Sequence, residues 1–103
     1  MTKTAELTPQ DMQVHAGQAA AFLKAIANEH RLMILCTLIH GELCVSDLNA
    51  KVKLSQSALS QHLASLREAG LVTTRKESQT VYYQIHGTNA IKIISVLQSI
   101  YCP

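Results

Sequence analysis

The sequence has no hydrophobic run long enough to cross a membrane. Its most apolar stretch, residues 32–39, is far shorter than the roughly 20 residues that a membrane-spanning helix needs. Residues 1–12 are polar and contain no apolar segment followed by a cleavage site, so no signal peptide is predicted. These absences predict a cytoplasmic protein with no membrane partner, whose cysteines Cys36, Cys44 and Cys102 stay as thiols.

Charged residues are also scarce, at 16% of the chain, whereas hydrophobic residues make up 48%. That balance excludes a disordered chain and is typical of a globular protein with additional apolar surface to bury. The length of 103 residues suits one domain and is too short for two, so residues 1–103 are predicted to form a single domain. A chain this short buries a modest core, and pairing with a second copy would bury more.

The motifs of the common enzyme classes are missing as well. The chain has no glycine-rich phosphate loop, no paired carboxylates in an apolar setting, and no Cys or Ser with an evident base nearby. An enzyme is therefore the least favoured functional class, and no cofactor is predicted.

Hydrophobic periodicity and capping residues predict five helices and one β-hairpin. Asn28 and Ser55 are predicted helix N-caps, and Gly41 and Gly70 are predicted to end helices. In chain order the predicted elements are helices at 12–27, 28–40, 42–54 and 55–69, strands at 71–75 and 80–85 joined by a turn at 76–79, and a last helix from residue 88 or 89 to the C-terminus. The order α-α-α-α-β-β-α predicts a winged helix-turn-helix, mainly α with a β-hairpin wing.

The fourth predicted helix carries the strongest functional signal. Its inward face is apolar, with Leu59, Leu63 and Leu66. Its outer face carries short or uncharged side chains: Ser57, Ser60, Gln61 and Ala64. Such a face can approach the floor of the DNA major groove, and the helix start at Ser55 and Gln56 suits a phosphate. His62 falls on the apolar side and is predicted to be a hydrogen-bonded core histidine. A plain solvated helix is the competing interpretation.

A local excess of positive charge favours DNA over that alternative. Residues 51–76 contain five basic residues and one acidic residue, a net charge of +4. Arg75, Lys76 and Gln79 are predicted at or near the hairpin tip, where they could reach an adjacent backbone or the minor groove. A solubilising turn remains the alternative for Arg75 and Lys76.

These segments resemble the ArsR/SmtB family of bacterial winged-helix regulators. The likeness is carried by ANEHRLMILCTLIHGELCVSDL, LSQSALSQHLASLREAGLVTTRKESQTVYYQI and the closing SIYCP, and it covers nearly the whole chain after Gln18. The resemblance implies a homodimer built through the first and last helices, a palindromic operator in double-stranded DNA, and an effector that changes DNA affinity. Within the family the chain is most similar to a thiol-sensing group associated with virulence control and with reactive-sulfur or redox sensing.

The metal sites known in the family are not reproduced here. Arsenic and cadmium sensors place two cysteines one residue apart on the third helix, where this chain has Cys44, Val45 and Ser46. Zinc sensors use Asp and His on the last helix, and residues 88–102 contain no His, Asp or Glu. A lone thiolate is a poor soft-metal site, so no metal site is predicted.

The other two cysteines match the thiol-sensing group. Cys36 in the central helix and Cys102 at the C-terminus stand where its redox-sensing members carry a cysteine pair. The resemblance therefore implies a dithiol switch that senses reactive sulfur species or oxidants. Taken singly, Cys36 is equally compatible with an ordinary buried cysteine and Cys102 with a frayed tail.

The leading prediction is a sequence-specific DNA-binding transcriptional regulator with a Cys36–Cys102 switch, acting by repression or by displacing a silencer. One alternative is a metal-responsive repressor that uses Cys44 with other ligands. Another is a winged-helix interaction module that does not bind DNA, which the Ser- and Gln-rich face and the basic hairpin disfavour.

Overall fold

Helix α1 (Pro9–Ile26) begins earlier than the sequence predicts. In the computed structural model, which describes residues 8–103, the Thr8 hydroxyl accepts a hydrogen bond from the backbone N–H of Asp11, and the Asp11 carboxylate accepts one from the backbone N–H of Thr8. This capping box, with Pro9 in the first turn, fixes the start of the helix. The predicted start at Met12 was wrong because it followed the apolar residues alone. Residues 1–7 of the predicted domain lie outside the described residues.

Helix α2 (Glu29–Leu38) runs through the centre of the domain. The predicted N-cap is confirmed, since the Asn28 side chain accepts from the backbone N–H groups of His30 and Arg31 at 2.9 and 3.1 Å. Ile34, Leu35 and Leu38 are buried, as expected for a helix that is apolar nearly all round. The helix ends two residues before the predicted end at residue 40, and the chain then turns through a glycine at residue 41 with φ of 138°.

A short strand, β1 (Leu43–Cys44), precedes helix α3 (Val45–Lys51) and was not predicted. It pairs antiparallel with strand β3 (Thr80–Ile85), joining Leu43 to Tyr83 and Cys44 to Tyr82. The sheet therefore has three strands in the order β1-β3-β2 instead of the predicted two. A strand of two residues is too short to show an alternating pattern in the sequence.

Helix α4 (Gln56–Glu68) is followed by strands β2 (Val72–Glu77) and β3, which form the wing. The turn between them is only Ser78 and Gln79, with Ser78 in the left-handed region at φ of 57°. The predicted four-residue turn was wrong, because Lys76 and Glu77 continue the ladder opposite Val81 and Thr80. The predicted winged helix-turn-helix is confirmed, with β1 added to it.

Helix α5 (Asn89–Tyr101) packs against α2 and closes the core. The core draws on every helix and on the wing; its largest fully buried side chains are Ile34, Leu35, Leu48, Leu59, Leu63, Leu66, Val72 and Ile94. Tyr83 and Ile85 of β3 pack against it. None of the helices in residues 8–103 combines the length and the hydrophobicity needed to traverse a bilayer.

Candidate nucleic-acid interface and cysteine pair

The two faces of α4 differ as the helical spacing predicts. Leu59, Leu63 and Leu66 are 0–1% exposed, so the inner face is anchored in the core. The residues on the outer face are all exposed: Ser57, Ser60, Gln61 and Ala64. Over residues 57–64 the exposed face of the helix therefore has no long charged side chain, and its orientation is fixed by the buried leucines.

The start of α4 is held by its N-cap. The Ser55 hydroxyl accepts from the backbone N–H of Ala58 at 3.1 Å and lies 3.4 Å from the Ser57 hydroxyl. Gln56 and Ser57 are exposed in the first turn, and their backbone N–H groups have no hydrogen-bond partner within residues 8–103. These groups are available to an anion from outside the chain.

His62 ties the inner side of α4 to two other helices. It is half-buried, and its Nδ1 accepts from Arg31 Nε at 3.3 Å, while Arg31 Nη1 donates to the carbonyl of Ala25 at 3.2 Å. Burial lowers the pKa of His62, and the neighbouring Arg31 and His30 lower it further. The hydrogen-bonded histidine predicted from the sequence is present at a half-buried position, and its partner Arg31 was not predicted.

All three wing side chains predicted to contact DNA are exposed, and they differ in whether they have partners within the domain. Lys76 and Gln79 are exposed near the turn, and neither side chain has a hydrogen-bond or ion-pair partner in the described part of the chain. Their donors are therefore available to a ligand outside the domain.

Arg75, the third predicted contact, is already engaged within the domain. Its Nε and Nη2 donate to the two carboxylate oxygens of Glu42 at 3.1 and 2.6 Å, and its Nη1 donates to Glu77 at 3.2 Å. The guanidinium carbon also lies 4.7 Å from the ring centroid of Tyr82. The hydrogen bonds with Arg75 lower the pKa of Glu42 and, together with those to Glu77, raise the pKa of Arg75. Sequence analysis missed Glu42, since a pair 33 residues apart leaves no local pattern.

Cys36 and Cys102 line the same small cavity between α2 and α5. The cavity has a volume of about 180 Å³, and its other lining residues are Leu32, Ile94, Leu97, Gln98 and Tyr101. Cys36 is half-buried and Cys102 exposed, and both are free thiols. Burial raises the pKa of the Cys36 thiol, the nearby Cys102 raises it further, and a hydrogen bond with the Gln98 side chain opposes both effects.

Cys44 lies apart from that cavity, on β1, with its sulfur 3.2 Å from the Ser46 hydroxyl. Within residues 8–103, no three His, Cys, Asp or Glu side chains gather closely enough to hold a metal ion.

Comparison with known proteins places this geometry in a family. Residues 28–74, from before α2 to within β2, match the family described as "Bacterial regulatory protein, arsR family". The transcriptional activator HlyU of Vibrio cholerae serotype O1 is 50% identical over 100 residues, which are 97% of this chain and 93% of that protein.

Solved structures agree with that assignment. Reduced HlyU from Vibrio cholerae superposes with a TM-score of 0.84 at 51% identity, covering 91% of this chain and 99% of the other. The transcriptional repressor BigR from Xylella fastidiosa superposes with a TM-score of 0.88 at 35% identity, covering 94% of this chain and 99% of the other. Because such similarity in sequence and fold extends over almost the whole chain, this protein belongs to the ArsR family of bacterial regulatory proteins.

Proposed function

We propose that this ArsR-family DNA-binding transcriptional regulator acts as a homodimer that inserts α4 into the major groove of a palindromic operator. The outer face of α4 is the observation that carries the proposal. It is exposed and free of long charged side chains, while the inner face is locked into the core by three buried leucines. A helix of this kind can lie close to base edges without first moving aside its own side chains.

Each proposed contact has a distinct role. Ser60 and Gln61 read base edges, since hydroxyl and amide groups both donate and accept hydrogen bonds. The start of the helix, at Ser55, Gln56 and Ser57, binds a phosphate through its backbone N–H groups. Lys76 and Gln79 of the wing contact the neighbouring sugar-phosphate backbone.

A second copy of the chain is proposed to cover α1 and α5. Every residue from 9 to 21 of α1 is exposed, and an isolated helix of this length is marginal in water. Exposed large hydrophobic side chains lie along both helices: Met12, Val14, Leu23, Val96, Ile100 and Tyr101. Pairing these surfaces would bury them and set the two α4 helices about one DNA turn, or roughly 34–36 Å, apart.

The experiment is selection of genomic DNA fragments by the reduced protein, followed by titration of the recovered site. We expect enrichment of an inverted repeat, bound by two chains with steep salt dependence. Retention of random fragments only, or of none, would contradict the proposal and favour an interaction module.

The effector is proposed to act on Cys36 and Cys102. The shared cavity supports this pairing, because it brings the two thiols together beside α5, one of the two helices that the second copy would cover. Hydrogen peroxide would take two electrons and both protons from the two thiols. The S–S bond would form, and the peroxide would be reduced to two water molecules. A direct disulfide needs Cα atoms about 4.4–6.8 Å apart, and an inserted sulfur chain tolerates more.

Such a link would tie the end of α5 to α2 and change how the dimer helices pack. The spacing of the two α4 helices would change with it, so the linked dimer would fit its operator less well. Allosteric couplings of this kind are commonly about 1–3 kcal/mol, which corresponds to roughly 5–150-fold in affinity.

Cysteine variants test the switch directly. We expect the linked protein to bind its operator about 5–150-fold more weakly than the reduced protein. Cys36→Ser and Cys102→Ser should bind DNA and ignore peroxide or persulfide, whereas Cys44→Ser, the matched control, should respond as the unaltered chain does. Mass spectrometry identifies the link and a binding titration measures its effect. A linked protein with full affinity, or a response abolished by Cys44→Ser alone, would contradict the proposal.

A further inference from the structure

Arg75 is surrounded by more negative charge than it can neutralise. Glu42 accepts two hydrogen bonds from its guanidinium and Glu77 accepts a third, so the three side chains together carry a net charge of −1. A DNA phosphate approaching Arg75 would have to displace a bidentate carboxylate and would still face the second one. Like charges brought together in this way repel, which disfavours a phosphate contact at this residue.

The two hydrogen bonds between Arg75 and Glu42 span the sheet. Arg75 on β2 stands opposite Tyr82 on β3, and Tyr82 stands opposite Cys44 on β1. Glu42 comes one residue before β1 in the chain. The guanidinium thus reaches over the middle strand to a carboxylate at the far edge of the sheet, which joins the wing to the turn between α2 and α3.

Lys76 points the other way. Successive side chains of a strand project to opposite faces, so Lys76 lies on the face of β2 opposite that of Arg75. Lys76 has no carboxylate partner among residues 8–103. Two adjacent basic residues with the same formal charge therefore have different surroundings.

We propose that Glu42 is a positioning residue for DNA binding. It holds Arg75 on the sheet, so that the pair sets the angle of the wing. Of the two adjacent basic residues, Lys76 contacts phosphate and Arg75 does not. This proposal rests on the proposed function, because it assumes that the wing meets DNA. The pair is partly exposed, with side-chain exposures of 46% for Arg75 and 34% for Glu42, so its effect on global stability is small. Its effect is on the orientation of the wing.

The test compares salt dependence across charge variants of the full-length protein on its operator. We expect Arg75→Gln and Glu42→Gln each to weaken binding by about two- to fivefold without changing the slope of log K against log salt. Lys76→Gln, the matched control, should make that slope shallower by about one for each phosphate that is no longer neutralised. The double exchange Glu42→Arg with Arg75→Glu keeps the net charge and should bind more tightly than either of its single changes.

Hydrogen exchange without DNA separates this inference from the proposed function. Glu42→Gln should speed exchange of the amides in residues 72–85 and leave those of α4 unchanged, whether or not an operator is known. The inference is overturned if Arg75→Gln makes the salt slope shallower as Lys76→Gln does, or if Glu42→Gln tightens DNA binding by releasing Arg75. Unchanged exchange in the wing overturns it as well.

Discussion

His62 shows how one side chain can connect α4 to α1 through a residue of α2. It accepts from Arg31 at the start of α2, and Arg31 in turn donates to the carbonyl of Ala25 near the end of α1. The His30 ring lies beside it, with ring centroids 5.7 Å apart. A proton on His62 would remove the acceptor at Nδ1 and place an additional positive charge next to Arg31.

We therefore expect acid to destabilise the protein through His62. Its pKa is lowered from the ordinary 6.5, so the unfolded chain binds a proton at a higher pH than the folded chain does. The contribution of neutral His62 is complete above pH 6.5 and is lost as the pH falls towards the pKa of the folded state. Urea unfolding at about pH 7.5 and about pH 5.5 should show a larger loss of unfolding free energy for the unaltered chain than for His62→Gln.

The His62→Gln variant is a suitable control because its amide oxygen can still accept a hydrogen bond from Arg31, while the amide does not titrate. Asp11 and Glu42, whose pKa values are lowered, lose their contributions only at more acidic pH than this window. Equal losses in the two proteins would show that His62 is not the titrating group.

Helix α4 is the element that we propose to contact DNA most directly. We expect Ser60→Glu to weaken operator binding by more than about 100-fold, because a carboxylate would face phosphates and base acceptors. The fold should be unaffected, since Ser60 is exposed and the buried leucines are unchanged. Gln84→Glu adds the same charge at an exposed position on β3 and serves as the control in a fluorescence anisotropy titration.

Among the elements, those with a local chemical signal could be predicted and those without one could not. Asn28 and Ser55 predicted the starts of their helices because a cap acts on the residues next to it. The β1 strand was missed because two residues are too few to show an alternating apolar and polar pattern, and because its partner β3 lies far along the chain. The outer face of α4 followed from helical spacing. The Glu42–Arg75 pair could not be predicted, because it depends on the strand order β1-β3-β2 that brings the two residues together.

At the scale of the whole molecule, α1 and α5 leave apolar surface that one chain does not cover. Leu23 on α1 is 53% exposed and Ile100 on α5 is 59% exposed. We expect Leu23→Glu or Ile100→Glu to shift the protein from dimer to monomer in sedimentation, since each would bury a charge in an apolar interface. Operator affinity should fall in parallel, and Gln84→Glu should leave the dimer intact. A dimer that survives both changes would mean that other surfaces join the two copies.

The long exposed stretch of α1 also has a consequence for folding. Residues 9–21 are all exposed in a single chain, so in the proposed dimer much of the free energy that keeps them helical would come from association. Helix content and melting temperature then rise with the concentration of the chain, and a newly made copy completes its fold only when it meets another. In the proposed dimer, the number of molecules in the cell would thereby set how much operator-competent protein exists, before any effector acted.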